Sequence, residues 1–123
     1  MANNILRFKG SRIGKSISEE NCESIIKEIF EISKNQLCEI TYPDDVLVGK
    51  STDDSAQTKD LRDITDDDLI LDLGPKTLKK IKNIIENSKT VLWNGPAGYF
   101  ENPNFAKGSF EIAKTIIKKN KDN

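Results

Sequence analysis

Short apolar strand candidates alternating with amphipathic helices predict an α/β fold, a layered and mostly parallel sheet with helices packed on it. Three observations carry this reading. Apolar residues recur with helical period in three segments. Four short apolar runs lie between them. Breaks follow two of those runs, at Gly74-Pro75 and Asn94-Gly95-Pro96. At 123 residues the chain has the size of one domain.

Ala2 to Lys9 reads as a short helix with Ile5, Leu6 and Phe8 as its apolar side, and Gly10 fits its stop. Ser18 to Lys34 reads as the clearest helix, because Cys22, Ile25, Ile26, Ile29 and Phe30 recur at i, i+3, i+4, i+7 and i+8. Ser16 with Glu19 reads as its capping box. Leu37 to Thr41 and Val46 to Val48 are short strand candidates separated by Pro43. Residues 50–68 are polar and read as an exposed connection. Leu69 to Leu73 reads as a buried strand, and Pro75 suits the first turn of a helix running to about Asn87, with Leu78, Ile81, Ile84 and Ile85 inward. Thr90 to Trp93 is the next strand candidate. A last helix is expected over about Phe105 to Lys118, with Phe105, Ile112, Ala113, Ile116 and Ile117 facing in and a frayed tail at Asn120 to Asn123.

The charge is nearly balanced, with 19 basic and 20 acidic residues, so no polyanion is implied and no nucleic acid is expected as a partner. There is no apolar run of bilayer length, and Met1 to Gly10 lacks the apolar stretch of a secretory signal, so no membrane association is expected. Histidine is absent, which removes histidine-based acid-base chemistry. Cys22 and Cys38 lack metal-ligand spacing. Cys22 falls on the apolar stripe and reads as a reduced core thiol, and a cytoplasmic location is the default that follows.

Four groups invite a chemical reading. Gly14-Lys15-Ser16 fails as a phosphate loop, because three residues separate Gly10 from Gly14 where four are needed. It reads as a turn before a helix cap. The runs Asp44-Asp45, Asp53-Asp54 and Asp66-Asp67-Asp68 offer magnesium ligands, but two of them precede their strands, at the wrong edge for a site, and they read as solvated loop charge. Asp72 lies inside an apolar strand. It either pins the turn at Gly74 by accepting backbone N–H groups or helps a ligand site. The densest group is Trp93-Asn94-Gly95-Pro96-Ala97-Gly98-Tyr99-Phe100-Glu101, a strand candidate running into a loop with two glycines and a proline. Glycines permit close backbone approach to a ligand, Asn94 offers donor and acceptor, and Glu101 suits ribose hydroxyls. A tight turn with an exposed glutamate is the plainer reading.

That nine-residue run resembles the W-N-G-P-x-G-x-F-E signature of phosphoglycerate kinases at every fixed position. Leu71-Asp72-Leu73-Gly74-Pro75-Lys76-Thr77 is similar to the family's L-D-I-G-P-K-T, Asn104-Phe105-Ala106-Lys107-Gly108 to its N-F-A-K-G, and Ala56-Gln57-Thr58-Lys59 to its A-E-T-K. Met1-Ala2-Asn3 and Gly14-Lys15-Ser16 resemble its M-A-N and G-K-S stretches, in the family's order.

The resemblance implies that residues 1–123 are part of the C-terminal, nucleotide-binding domain, a Rossmann-like parallel sheet with flanking helices that is incomplete here. It implies phosphoryl transfer between 1,3-bisphosphoglycerate and ADP, with Mg2+ arriving as the ADP or ATP complex. Glu101 resembles the ribose-binding glutamate, and Asn94, Gly95 and Pro96 the loop along the ribose and phosphates. No catalytic residue and no protein metal ligand is assigned. Where many members carry a glycine against the adenine, this chain has Ile70, which implies a reshaped pocket.

The family's G-G-G-D/E-T segment, its phosphate-contacting lysine and its phosphoglycerate-binding domain do not occur in these 123 residues. The expected partners are therefore ADP or ATP and the remainder of the kinase, with no turnover by the polypeptide alone. An inactive remnant with weak or no nucleotide binding is the alternative. A sheet without its flanking strands is further expected to be marginally stable or to self-associate.

Overall fold

The structure, a computed structural model, describes residues 1–121. Its centre is β1 (Asp45–Gly49), buried along its whole length. The run Val46-Leu47-Val48 suits a central strand covered on both faces. β2 (Gln57–Asp60) and β3 (Leu69–Leu73) flank it, and both pair with it antiparallel. A register shift between Leu47 and Val48 interrupts the β1–β3 ladder.

The α/β class with flanking helices holds, but the parallel pairing does not. A parallel pair needs a crossover of a dozen or more residues, usually helical, whereas antiparallel neighbours can be joined by short connections. Between β1 and β3 the chain contains no α-helix, and β2 lies in the middle of the stretch expected to be an exposed connection. That stretch also contains a short 3-10 turn, Leu61–Asp63, and two fully buried side chains, Ile64 and Asp68. β2 is polar because it is an edge strand, so it shows none of the apolar alternation that marks a covered one.

Among the described residues four α-helices complete the fold: α1 (Ala2–Phe8), α2 (Glu23–Asn35), α3 (Pro75–Asn87) and α4 (Lys107–Lys121). The frayed tail expected at 120–123 is helical through Lys121; Asp122 and Asn123 lie outside the described residues. One core cluster joins Val46, Val48 and Ile64, with Leu61 and Ile70 against it. The other joins Leu78, Ile85 and Ile112, with Leu73, Ile81, Val91 and Ala97 against it, and lies along the seam of α3 and α4, reaching β3 through Leu73. Phe105, fully buried, belongs to a 3-10 turn (Pro103–Phe105) ahead of α4.

Two expected strands are absent. Thr90–Trp93 is unpaired: no described strand lies beside it, and Leu92 is 91% exposed. Leu37–Thr41 is also irregular. Leu37 closes α2 with a left-handed φ of 52°, and the Cys38 N–H donates back to the Ser33 carbonyl at 2.9 Å, a reversal normally built on glycine. Because Leu37 is 97% exposed and packs on nothing, Leu37→Gly is expected to raise the unfolding free energy by about 1 kcal/mol in a urea melt.

α2 begins later than expected, and the capping box does not form. Ser16 Oγ instead accepts the Ile70 N–H at 2.8 Å, and the Glu19 N–H donates to Asn4 Oδ1 at 2.9 Å. Cys22 is the half-buried N-cap residue, not a core thiol. Of the stripe's isoleucines only Ile26 is buried, while Ile25 and Ile29 face outward, as does Ile32 beyond the stripe.

Candidate functional site

Three buried aspartates hold the fold around the site, and one of them, Asp72, lines it. Asp45 and Asp68, expected to be solvated, are both fully buried; Asp44, Asp53, Asp66 and Asp67 are exposed. The Asp45 carboxylate accepts the Lys76 N–H at 3.0 Å and the Thr77 N–H and hydroxyl at 2.8 Å each, satisfying the orphan donors of the first turn of α3. Asp68 accepts from Lys50 Nζ at 2.8 Å, Lys59 Nζ at 2.7 Å and the Thr65 N–H at 2.7 Å. Burial pushes its carboxyl up, but these donors outweigh burial and hold it well below the usual carboxylate range.

Asp72, 2% exposed, does not pin Gly74, whose N–H donates to the Asp45 carbonyl. It accepts the N–H of Gly108, in the first turn of α4, and of Leu73, each at 2.8 Å. Burial raises its pKa, and the two N–H donors only partly offset that. Gly14-Lys15-Ser16 is no phosphate loop either. Gly14 (φ 56°) packs on the backbone carbonyls of Thr65 and Asp68, and the Lys15 N–H donates to the Asp68 carbonyl at 2.8 Å.

The loop from Trp93 to Glu101 is held at two points. The Tyr99 N–H donates to the Leu71 carbonyl of β3 at 2.7 Å, and the Ala97 N–H to Ser109 Oγ of α4 at 2.9 Å. Between those anchors and the unpaired Thr90–Trp93, Gly95 reverses the chain with φ 86° and open space around it. Gly98 is closed in: a Cβ there would come within 2.5 Å of Asp72 Oδ1. The two loop glycines thus differ in role, and Gly95 is the one that leaves backbone reachable.

A cleft of about 560 Å³ separates the loop from β3. Asn94, Pro96 and Tyr99 line one wall, Ile70 to Leu73 the other, and Met1 to Asn3 one end. Gly95 and Pro96 also border a second, mostly apolar groove with Trp93, Phe100 and Phe110. Glu101 lies in the turn closed by the Asn102 N–H to the Tyr99 carbonyl at 3.2 Å; it is exposed and lines neither cavity. Of the four sequence-derived site residues, then, Asn94 and Pro96 meet in the cleft beside Ile70, Gly95 turns the loop, and Glu101 stands outside on the next turn.

Sequence reasoning missed Asp45 as an organising residue and Ser109 as a loop anchor; the only advance signal of this kind was the lone acid at Asp72. Among the described residues no three acidic or thiol side chains converge as a metal cluster, and no helix is long and apolar enough to cross a membrane.

The profile of the phosphoglycerate kinase family matches residues 1–123. The phosphoglycerate kinase of Wolbachia pipientis subsp. Culex pipiens (strain wPip) is 41% identical over 117 residues, covering 94% of this chain and 30% of the relative. That of Legionella pneumophila (strain Lens) is 38% identical over 122 residues, covering 98% and 31%. The solved phosphoglycerate kinase from Coxiella burnetii superposes with a TM-score of 0.89 at 30% identity, over 95% of this chain and 31% of that one. The enzyme from Pyrococcus horikoshii OT3 gives a TM-score of 0.67 at 27% identity, over 94% and 30%. The chain thus spans about three-tenths of the length of these relatives. With the family profile matching residues 1–123 and relatives about 40% identical over 94% of the chain, the chain belongs to the phosphoglycerate kinase family.

Proposed function

We propose that this chain supplies part of the nucleotide-binding domain of a cytoplasmic, glycolytic phosphoglycerate kinase, acting on 1,3-bisphosphoglycerate and Mg-ADP together with the remainder of the kinase. The observation that carries this reading is the cleft between β3 and the Asn94–Tyr99 loop. Its loop wall is fixed by the Tyr99 N–H to the Leu71 carbonyl and the Ala97 N–H to Ser109 Oγ, while Asn94 and Pro96 stay exposed to a ligand. Phosphoryl transfer asks a protein chiefly for positioning and charge neutralisation, and this wall supplies positioning.

Pro96, Tyr99 and Ile70 offer apolar surface to a base. The Asn94 amide supplies a donor and an acceptor in the cleft, and Glu101, exposed on the next turn outside it, supplies acceptors for ribose hydroxyls that project past the cleft's rim. Ile70 fills space where the family resemblance implies a glycine, which narrows the base end. Magnesium enters with the nucleotide, as substrate.

Trp93, the single tryptophan, is 45% exposed beside Asn94 and reports on the loop. Titrating the 123-residue polypeptide with Mg-ADP is expected to give a saturable change in its fluorescence. Glu101→Ala is expected to weaken that binding about tenfold, the worth of one hydrogen bond to a charged group. A coupled assay on 1,3-bisphosphoglycerate is expected to show no ATP formation by this polypeptide alone. Binding unaffected by Glu101→Ala would remove the ribose role, and turnover would remove the inactivity. A remnant without nucleotide binding is the second reading, favoured by the unpaired Thr90–Trp93 and the outward Ile25, Ile29 and Ile32. It requires a flat Mg-ADP titration.

A further inference from the structure

We infer that Asp72 is a positioning residue for the nucleotide loop, setting the seat of Asn94–Tyr99 over β3 through Gly98 and the start of α4; the link to nucleotide rests on the function proposed above. A buried carboxylate is costly unless its oxygens are met by donors or a cation. Asp72 forms no ion pair among the described residues, and its carboxylate is met by the N–H groups of Leu73 and Gly108.

Two glycines make room for it. A Cβ on Gly108 would fall 2.1 Å from Oδ1, and a Cβ on Gly98 would fall 2.5 Å from the same oxygen and 2.7 Å from the Leu71 carbonyl. That same Leu71 carbonyl accepts the Tyr99 N–H. One side chain therefore bears on the strand, on the loop and on the helix whose Ser109 Oγ holds Ala97. If Asp72 served only to cap α4, nothing would require the loop to close on it at Gly98.

The placement gives the residue a defined action. Its negative charge fixes the first turn of α4, where a carboxylate is stabilised by the free N–H groups and the helix dipole. Ser109, in that turn, then holds Ala97 at a fixed height. The loop bonds at Tyr99 and Ala97 are consequences of one buried anion, and the cleft's width at Asn94 follows from them.

The test is Asp72→Asn in the full chain, which keeps shape and removes charge. Amide hydrogen exchange at Gly108, Tyr99 and Ala97 is expected to accelerate, while Thr77, capped independently by Asp45, is unchanged. Mg-ADP affinity, read by Trp93 fluorescence, is expected to fall about tenfold as the competent loop state becomes a minority. If Asp72→Asn does not fold, Gly98→Ala crowds the carboxylate from the loop side. It is expected to release Tyr99 while leaving Gly108 protected.

Unchanged protection at Tyr99 and Ala97 in a folded variant would overturn the inference. So would uniform acceleration that includes Thr77, which marks a loss of global stability. If the unaltered chain does not bind Mg-ADP but Asp72→Asn releases the loop, the positioning role stands and the nucleotide reading fails.

Discussion

Asp68→Ala is expected to lower the unfolding free energy by about 3–5 kcal/mol, a large share of what a domain of this size possesses. The substitution removes the acceptor from two ammonium groups and from the Thr65 N–H at once. Lys59 governs the magnitude, because its side chain is only 13% exposed and would be left as a buried, unpaired cation; Lys50, at 57%, would turn to water at little cost. A urea melt measures the loss, and Lys50→Ala is expected to give well under half of it.

The pH dependence follows in sign. The folded pKa of Asp68 is depressed, so its contribution is complete above the unfolded value of about 4 and is lost as pH falls toward the folded one. Asp72 acts oppositely. Its folded pKa is raised, so the folded state holds the proton longer, and this group's contribution declines as pH rises through the interval above about 4. Asp68→Asn is therefore expected to flatten the acid limb of the stability profile, and Asp72→Asn to remove the opposing slope.

Gly74→Ala is the second large effect, at about 3 kcal/mol, combining overpacking with a lost helix cap. The backbone at Gly74 is ordinary, with φ −77°, so the cost is one of space. A Cβ would sit 2.2 Å from Asp45 Cγ. That carboxylate cannot yield, because it is fully buried and tied to Lys76 and Thr77. Gly95→Ala is the control: nothing lies within 4 Å, and only the left-handed backbone resists, at about 1 kcal/mol. Thermal melts of the two variants side by side are expected to differ by several degrees.

The elements that the sequence discloses are those whose pattern is local. α1 and its Gly10 stop, α3 from Pro75 to Asn87, and β3 before Gly74-Pro75 all follow from periodicity and break residues within a dozen positions. What stays hidden depends on a partner distant in sequence. β2 is polar because it is an edge, and its neighbour fixes it as a strand. Thr90–Trp93 has the composition of a strand but no described strand beside it, and composition cannot supply the missing ladder.

The aspartates show the same division. Asp45 and Asp68 sit in acidic runs that look like solvated charge, and their burial is decided by Thr77, 32 residues away, and by Lys50 and Lys59. The loop signature was legible as a motif, with its glycines assigned to ligand approach. In the fold Gly98 serves Asp72, Gly95 serves the turn, and Glu101 stands apart from the cleft.

The proposed function requires a nucleoside diphosphate to rest between β3 and the Asn94–Tyr99 loop. An amide-resolved NMR titration of the chain with Mg-ADP reads this directly. The expected result is saturable shifts confined to Ile70–Leu73, Asn94–Tyr99 and Glu101, with α2 silent. Shifts clustered on the Trp93–Phe110 groove, or no saturable shifts at all, would contradict it.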